Sequence, residues 1–166
     1  MKSPPIALLA ALVWPMIAQA GEPGGCDKFK WPIAHEQSAL SAPPAARLED
    51  GAALAFEVAA QLHLALFDDA KFDMPPGRAP KLSPSYAGKV RLDAPAAAGT
   101  YKITLSDEGW IDVIQDGRFV KPSGFSGAGD CPGVRKSVKF PLAAQPATIQ
   151  LSNVKASTIS LIVSPE

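Results

Sequence analysis

Histidine is scarce in this chain: His35 and His63 are the two among 166 residues. They form none of the HxH, HxxxH or HExxH spacings that bring two imidazoles to one metal. The common catalytic signatures are missing too, with no GxSxG elbow, CxxC pair, P-loop or GxGxxG. Ser126 sits in a glycine-rich FSGAG stretch with no general base beside it, so it is not read as a nucleophile. The acidic pairs Asp68-Asp69 and Asp107-Glu108 are adjacent in sequence and read as solvated turn residues. No catalytic residue, metal site or cofactor is predicted.

Charge of one sign is also absent. Sixteen Lys/Arg balance sixteen Asp/Glu, which gives no general pull toward nucleic acid. Only one long apolar run is present. It covers the twelve residues Ile6 to Ile17 and contains Pro15, short of the ~20 residues a spanning helix needs. With Lys2 before it and Ala18-Gln19-Ala20 after it, the run predicts a secretory signal peptide over 1–20. The mature chain is then periplasmic or secreted, with no membrane insertion after cleavage.

Cysteine is limited to Cys26 and Cys131. In an exported chain two cysteines predict one disulfide. A bridge closing about a hundred residues is worth ~4–5 kcal/mol in the chain-entropy model. The two lie too far apart for the local pairing of a zinc motif.

What the sequence does have is alternation. Residues 21–52 predict a leader, a short helix near 31–40 and the proline-rich loop SAPPAARLEDG. Residues 53–166 predict a β-sandwich domain. Leu54, Phe56, Val58, Ala60, Leu62, Leu64 and Leu66 alternate with polar or small residues, as one strand or two joined near Ala59-Ala60. Residues 71–85, with four prolines, predict a long surface loop. YAGKVRL, TYKITL, WIDVI, RFV, SVKFPL, ATIQLS and STISLIVS follow as strands. Asp116-Gly117 predicts a hairpin turn, and the linker from Asn153 to Ala156 suits another. Pro141 suggests an edge position for its strand. The class is an all-β antiparallel sandwich or jelly roll of about eight strands with one short N-terminal helix.

Two constellations stand out. In WIDVI, Trp110 and Asp112 share a face opposite Ile111 and Val113, and a covered Asp112 needs a cationic or N–H partner. In RKSVKF, Arg135 could form a bidentate pair with Asp112. Alternatively, Arg135 and Lys136 bind a polar or anionic ligand beside Trp110. The candidate ligand residues are therefore Trp110, Asp112, Arg135 and Lys136.

Cys26, Phe29, Trp31, Pro32, Ile33 and Glu36, followed by GTYKITL, GWIDV, DGR and CPGVRKSVKF, resemble a family of small exported proteobacterial proteins. The resemblance spans nearly the whole mature chain and carries no established activity. Some members of that family carry the label homogentisate 1,2-dioxygenase. Such enzymes are longer intracellular cupins that hold iron with two histidines and a glutamate, and His35 and His63 do not supply that set. The GTYKITLS…WIDV portion is also similar in style to pre-peptidase C-terminal β-sandwich modules. The expectation is a non-catalytic module that binds a glycan, a small ligand or an envelope protein, using Trp110, Arg135 and the 71–85 loop. An enzyme with a site built from scattered residues, or a purely structural envelope component, are the alternatives.

Overall fold

A computed structural model of the chain describes residues 25–166, and the signal peptide expected over 1–20 lies outside the described residues. The described residues form an all-β sandwich with one short helix, α1 (Ala34–Ser41). The first sheet runs in the order β1 (Ala46–Leu48), β3 (Ala60–His63), β12 (Thr158–Pro165), β6 (Gly99–Leu105), β10 (Lys136–Leu142), β9 (Gly124–Gly127). The second runs β2 (Ala53–Leu54), β5 (Tyr86–Leu92), β11 (Ala147–Val154), β7 (Trp110–Gln115), β8 (Arg118–Phe119), with β4 (Ala65–Leu66) also on β5.

Twelve strands replace the expected eight because the 53–66 run breaks into three pieces and because Ala46–Leu48 and Gly124–Gly127, both read as loop, are strands as well. Glu57 adopts a left-handed φ of 60° and donates its N–H to Val163 O at 2.7 Å, turning the chain from one sheet to the other. Period two survives the break, since Leu54, Leu62 and Leu64 are buried, while Leu66 at the end is exposed. Two edge pairings are parallel, β1 with β3 and β2 with β5, so both sheets are mixed. Part of the stretch read as a loop, Ala46–Leu48, is the first of these edge strands.

The core lies between the sheets. Ile103, Leu105, Phe140, Leu161 and Val163 from the first meet Val90, Leu92, Val113, Ile149 and Leu151 from the second. Alternation along each strand sends these residues inward and their polar neighbours outward. The Asp116-Gly117 turn is the expected tight hairpin, with φ of 50° and 66° joining β7 to β8. The Asn153–Ala156 linker is not a hairpin. Strand β11 pairs in the second sheet and β12 in the first, so this linker crosses the sandwich. Pro141 sits in an interior strand, yet β9 pairs only with Lys136 to Lys139. The side of Pro141 that lacks an N–H is thus already open, consistent with proline's exclusion from a continuous ladder.

Each outer face carries its own cover. On the first sheet lies the N-terminal segment, joined to the β9–β10 loop by the Cys26–Cys131 disulfide with 4.5 Å between Cα atoms. Phe29, Ile33, Cys131 and Val134 form a second small core there. The helix begins at Ala34, just after Pro32, and its buried side chain is Glu36, while His35 is exposed. On the second sheet lies the 71–85 loop. Gln150 Oε1 accepts from the backbone N–H groups of Asp73 and Met74 at 2.6 and 3.2 Å, and Asn153 Oδ1 accepts from that of Lys81 at 2.6 Å. The proline-rich loop is a strap tied to the sheet beneath it.

Candidate functional site

Strand β7 carries the first candidates. Ile111 and Val113 point into the core, which sends Trp110 and Asp112 to the outer face under the strap. Asp112 is 9% exposed. Its Oδ1 accepts from the Trp110 indole N–H at 2.9 Å, and its Oδ2 from the backbone N–H of Gly77 at 2.8 Å. Gly77 is required by this approach, because a Cβ there would lie 2.6 Å from Asp112 Oδ1. The carboxylate has N–H partners, as a buried carboxylate must. The expected Asp112–Arg135 pair does not form: strap and indole occupy both carboxylate oxygens. Replacing Asp112→Ala should cost ~1–3 kcal/mol of stability by orphaning the Gly77 N–H. Urea titration measures that loss. Trypsin should cut faster after Arg78 and Lys81, the two basic residues beyond the released anchor.

Arg135 instead pairs with Glu108, Nη2 to Oε2 at 2.9 Å, with both side chains partly exposed. Lys136, one residue on, takes the opposite side of the chain. It shares the inward side of β10 with Val138 and Phe140, at the end where the sandwich opens. Its Nζ donates to Gly109 O at 2.7 Å and lies 3.8 Å from Glu108. Burial pushes its ammonium below the usual lysine range; Glu108 opposes that shift, and Arg78 and Arg135 add to it. Its side chain is 12% exposed, so this is an inward-pointing cation near a sheet edge.

The opening arises where the second sheet's edge strand is cut short. Beyond β7 the second sheet has only the two-residue β8. The first sheet continues past β10 into β9, where Phe125 lies opposite Val138. Phe125 therefore continues the core-facing side beyond the cover of the second sheet, with the Lys30 and Lys136 ammonium groups 5.9 and 5.8 Å from its ring, and it is 58% exposed. The result is a cleft of about 540 Å³ lined by Trp110, Phe119, Val120, Phe125, Val138 and Phe140, with Arg78, Asp112 and Lys136 also reaching it. A smaller pocket of about 210 Å³ adjoins it across Trp110, and Arg78, Glu108 and Lys136 border both. Arg78 stands over the indole at 5.1 Å and Lys136 at 5.8 Å.

Of the four candidates, Trp110, Asp112 and Lys136 border the cleft, and Arg135 stands behind it on Glu108. Sequence reasoning missed Arg78, Glu108, Phe119 and Phe125. Phe119 and Phe125 carried a faint signal, as aromatics on short strands beside a hairpin and a loop. Arg78 lies in the 71–85 loop already expected to take part in binding, but is not singled out within it, because its place depends on how the strap crosses the sheet. His63 lies 3.9 Å from Glu49 at the surface. Among the described residues no group of three or more His, Cys, Asp or Glu side chains is placed to hold a metal, and no helix is long and apolar enough to cross a membrane. Comparison of the chain with protein-family models, curated proteins and solved structures finds no match in any of the three.

Proposed function

We propose that this is an exported, non-catalytic binding protein whose cleft takes a small ligand with an apolar body. The cleft itself carries the reading: about 540 Å³ of concave space on the open side of the sandwich, walled mainly by aromatic and aliphatic side chains. A periplasmic or extracellular setting is supported by the Cys26–Cys131 bridge, of a kind that persists in oxidising compartments, and by the signal-like first twenty residues. The ligand residues are Trp110 and Lys136, joined by Arg78 and Phe125. Asp112 acts by holding the indole and the strap in place. A glycan fits less well, since stacking on a sugar needs an open indole face, and Arg78 and Lys136 crowd this one.

The test is a fluorescence titration with the neutral dye Nile red. Wild-type protein should bind it saturably at one site. Phe125→Glu, a change at an exposed position, should weaken binding about tenfold or more, the cost of placing a carboxylate in an apolar contact. No saturable binding, or binding indifferent to Phe125→Glu, refutes the cleft as a ligand site. An envelope protein or glycan would then be sought on other surfaces.

A further inference from the structure

We infer that the ligand is an amphipathic carboxylate, its apolar body in the cleft and its anionic group between Arg78 and Lys136. This rests on the reading of the cleft as a ligand site and adds the ligand's charge. The apolar cleft ends at Trp110, and on the far side of the indole the lining changes character. The adjoining pocket is bordered by Arg78, Lys81, Lys136 and Lys155, with Glu108 as its one carboxylate. Glu108 is shared between Arg135 at 2.9 Å and Lys136 at 3.8 Å, so one carboxylate stands against the four cations of the pocket and Arg78 is not paired with it. Arg78 makes no ion pair within 4.0 Å among those described and rests against the indole. Lys136 is largely withdrawn from water, where a charged partner gains most from a nearby anion. A guanidinium held over the mouth of an apolar cleft suits a carboxylate, which it can bind through two parallel N–H···O bonds.

Displacement of Nile red by decanoate below its micellar concentration and by 1-decanol below its solubility limit tests the charge. The two share the apolar chain and differ in the head group. Decanoate should displace the dye at a concentration about tenfold lower than decanol, the scale of a charge-assisted hydrogen bond. Arg78→Gln should abolish that advantage. Added salt should narrow it in the wild-type protein. Arg78 is the residue to change because it is exposed, whereas Lys136 also holds Gly109 O. Equal displacement by the two probes, or a decanoate advantage that survives Arg78→Gln, overturns the inference while leaving the apolar cleft standing. Displacement by neither probe overturns the inference, and failure of Nile red itself to bind overturns the cleft with it.

Discussion

Replacing both cysteines, Cys26→Ser with Cys131→Ser, should lower the free energy of unfolding by ~2–5 kcal/mol. The bridge spans 105 residues of sequence, so its loss returns a large loop entropy to the unfolded chain. It also removes a local anchor. The N-terminal segment is otherwise held by Phe29 and Ile33 in the small second core, by the Trp31 indole N–H donating to Ser137 Oγ at 3.1 Å, and by the Lys30 N–H donating to Ser126 Oγ at 2.9 Å. Urea denaturation under non-reducing conditions measures the global loss. Protease digestion in native buffer should remove the segment up to α1 from the double variant before it cuts the sandwich. A stability change below about 1 kcal/mol, within the range of ordinary point substitutions, would show that these contacts suffice without the bridge.

Lys102→Met should cost a similar amount, ~3–5 kcal/mol near neutral pH, because it strands a buried carboxylate. Glu36 is 1% exposed beneath α1. Lys102 Nζ lies 2.7 Å from its Oε1, Ser164 Oγ donates to the same oxygen, and Oε2 has no hydrogen-bond partner. Burial pushes this carboxyl up, but the bonds from Lys102 and Ser164 outweigh it and leave it below the usual carboxylate range. A carboxyl depressed in the folded state contributes stability above its unfolded pKa, and that contribution is lost as pH falls through the folded value. Without Lys102 burial dominates, Glu36 is raised instead, and the variant gains relative stability as its carboxyl protonates. The deficit of Lys102→Met should therefore be largest at pH 7 and shrink through the acid range, measured by urea titrations at several pH values. Glu36→Leu with Lys102→Met together should recover most of the loss, since a buried ion pair is often replaceable by apolar residues. A deficit that does not change with pH would place the cost in lost packing of the lysine stem rather than in the charge.

Several features were legible because they are local. Period two along TYKITL, WIDVI and SVKFPL assigns inward and outward faces without knowledge of any partner strand, and Ile103, Val113 and Phe140 are buried accordingly. Asp116-Gly117 supplies its own turn. With only two cysteines, the pairing had one solution. The staple also has a local setting: Cys26, Phe29, Ile33, Cys131 and Val134 all meet in the cover over the first sheet. The fracture of 53–66 was less legible. Its alternation continues across Glu57, so nothing in the pattern marks where the chain changes sheets.

By itself, the sequence determined the sandwich class, the short helix, the staple and which side of strands such as TYKITL and SVKFPL faces the core. Only the tertiary structure decided the partners of the polar residues and the existence of the cleft. Asp112 answers Gly77 and Trp110 because the strap crosses β7. Arg135 answers Glu108 because β6 pairs with β10 and leads into the 106–109 turn. The cleft exists because β8, the strand beyond β7, has only two residues and stops short of covering Phe125 of β9. Alternation follows from the geometry of each residue and its neighbours along the chain, whereas partnership depends on crossovers between segments tens of residues apart, which no local period encodes.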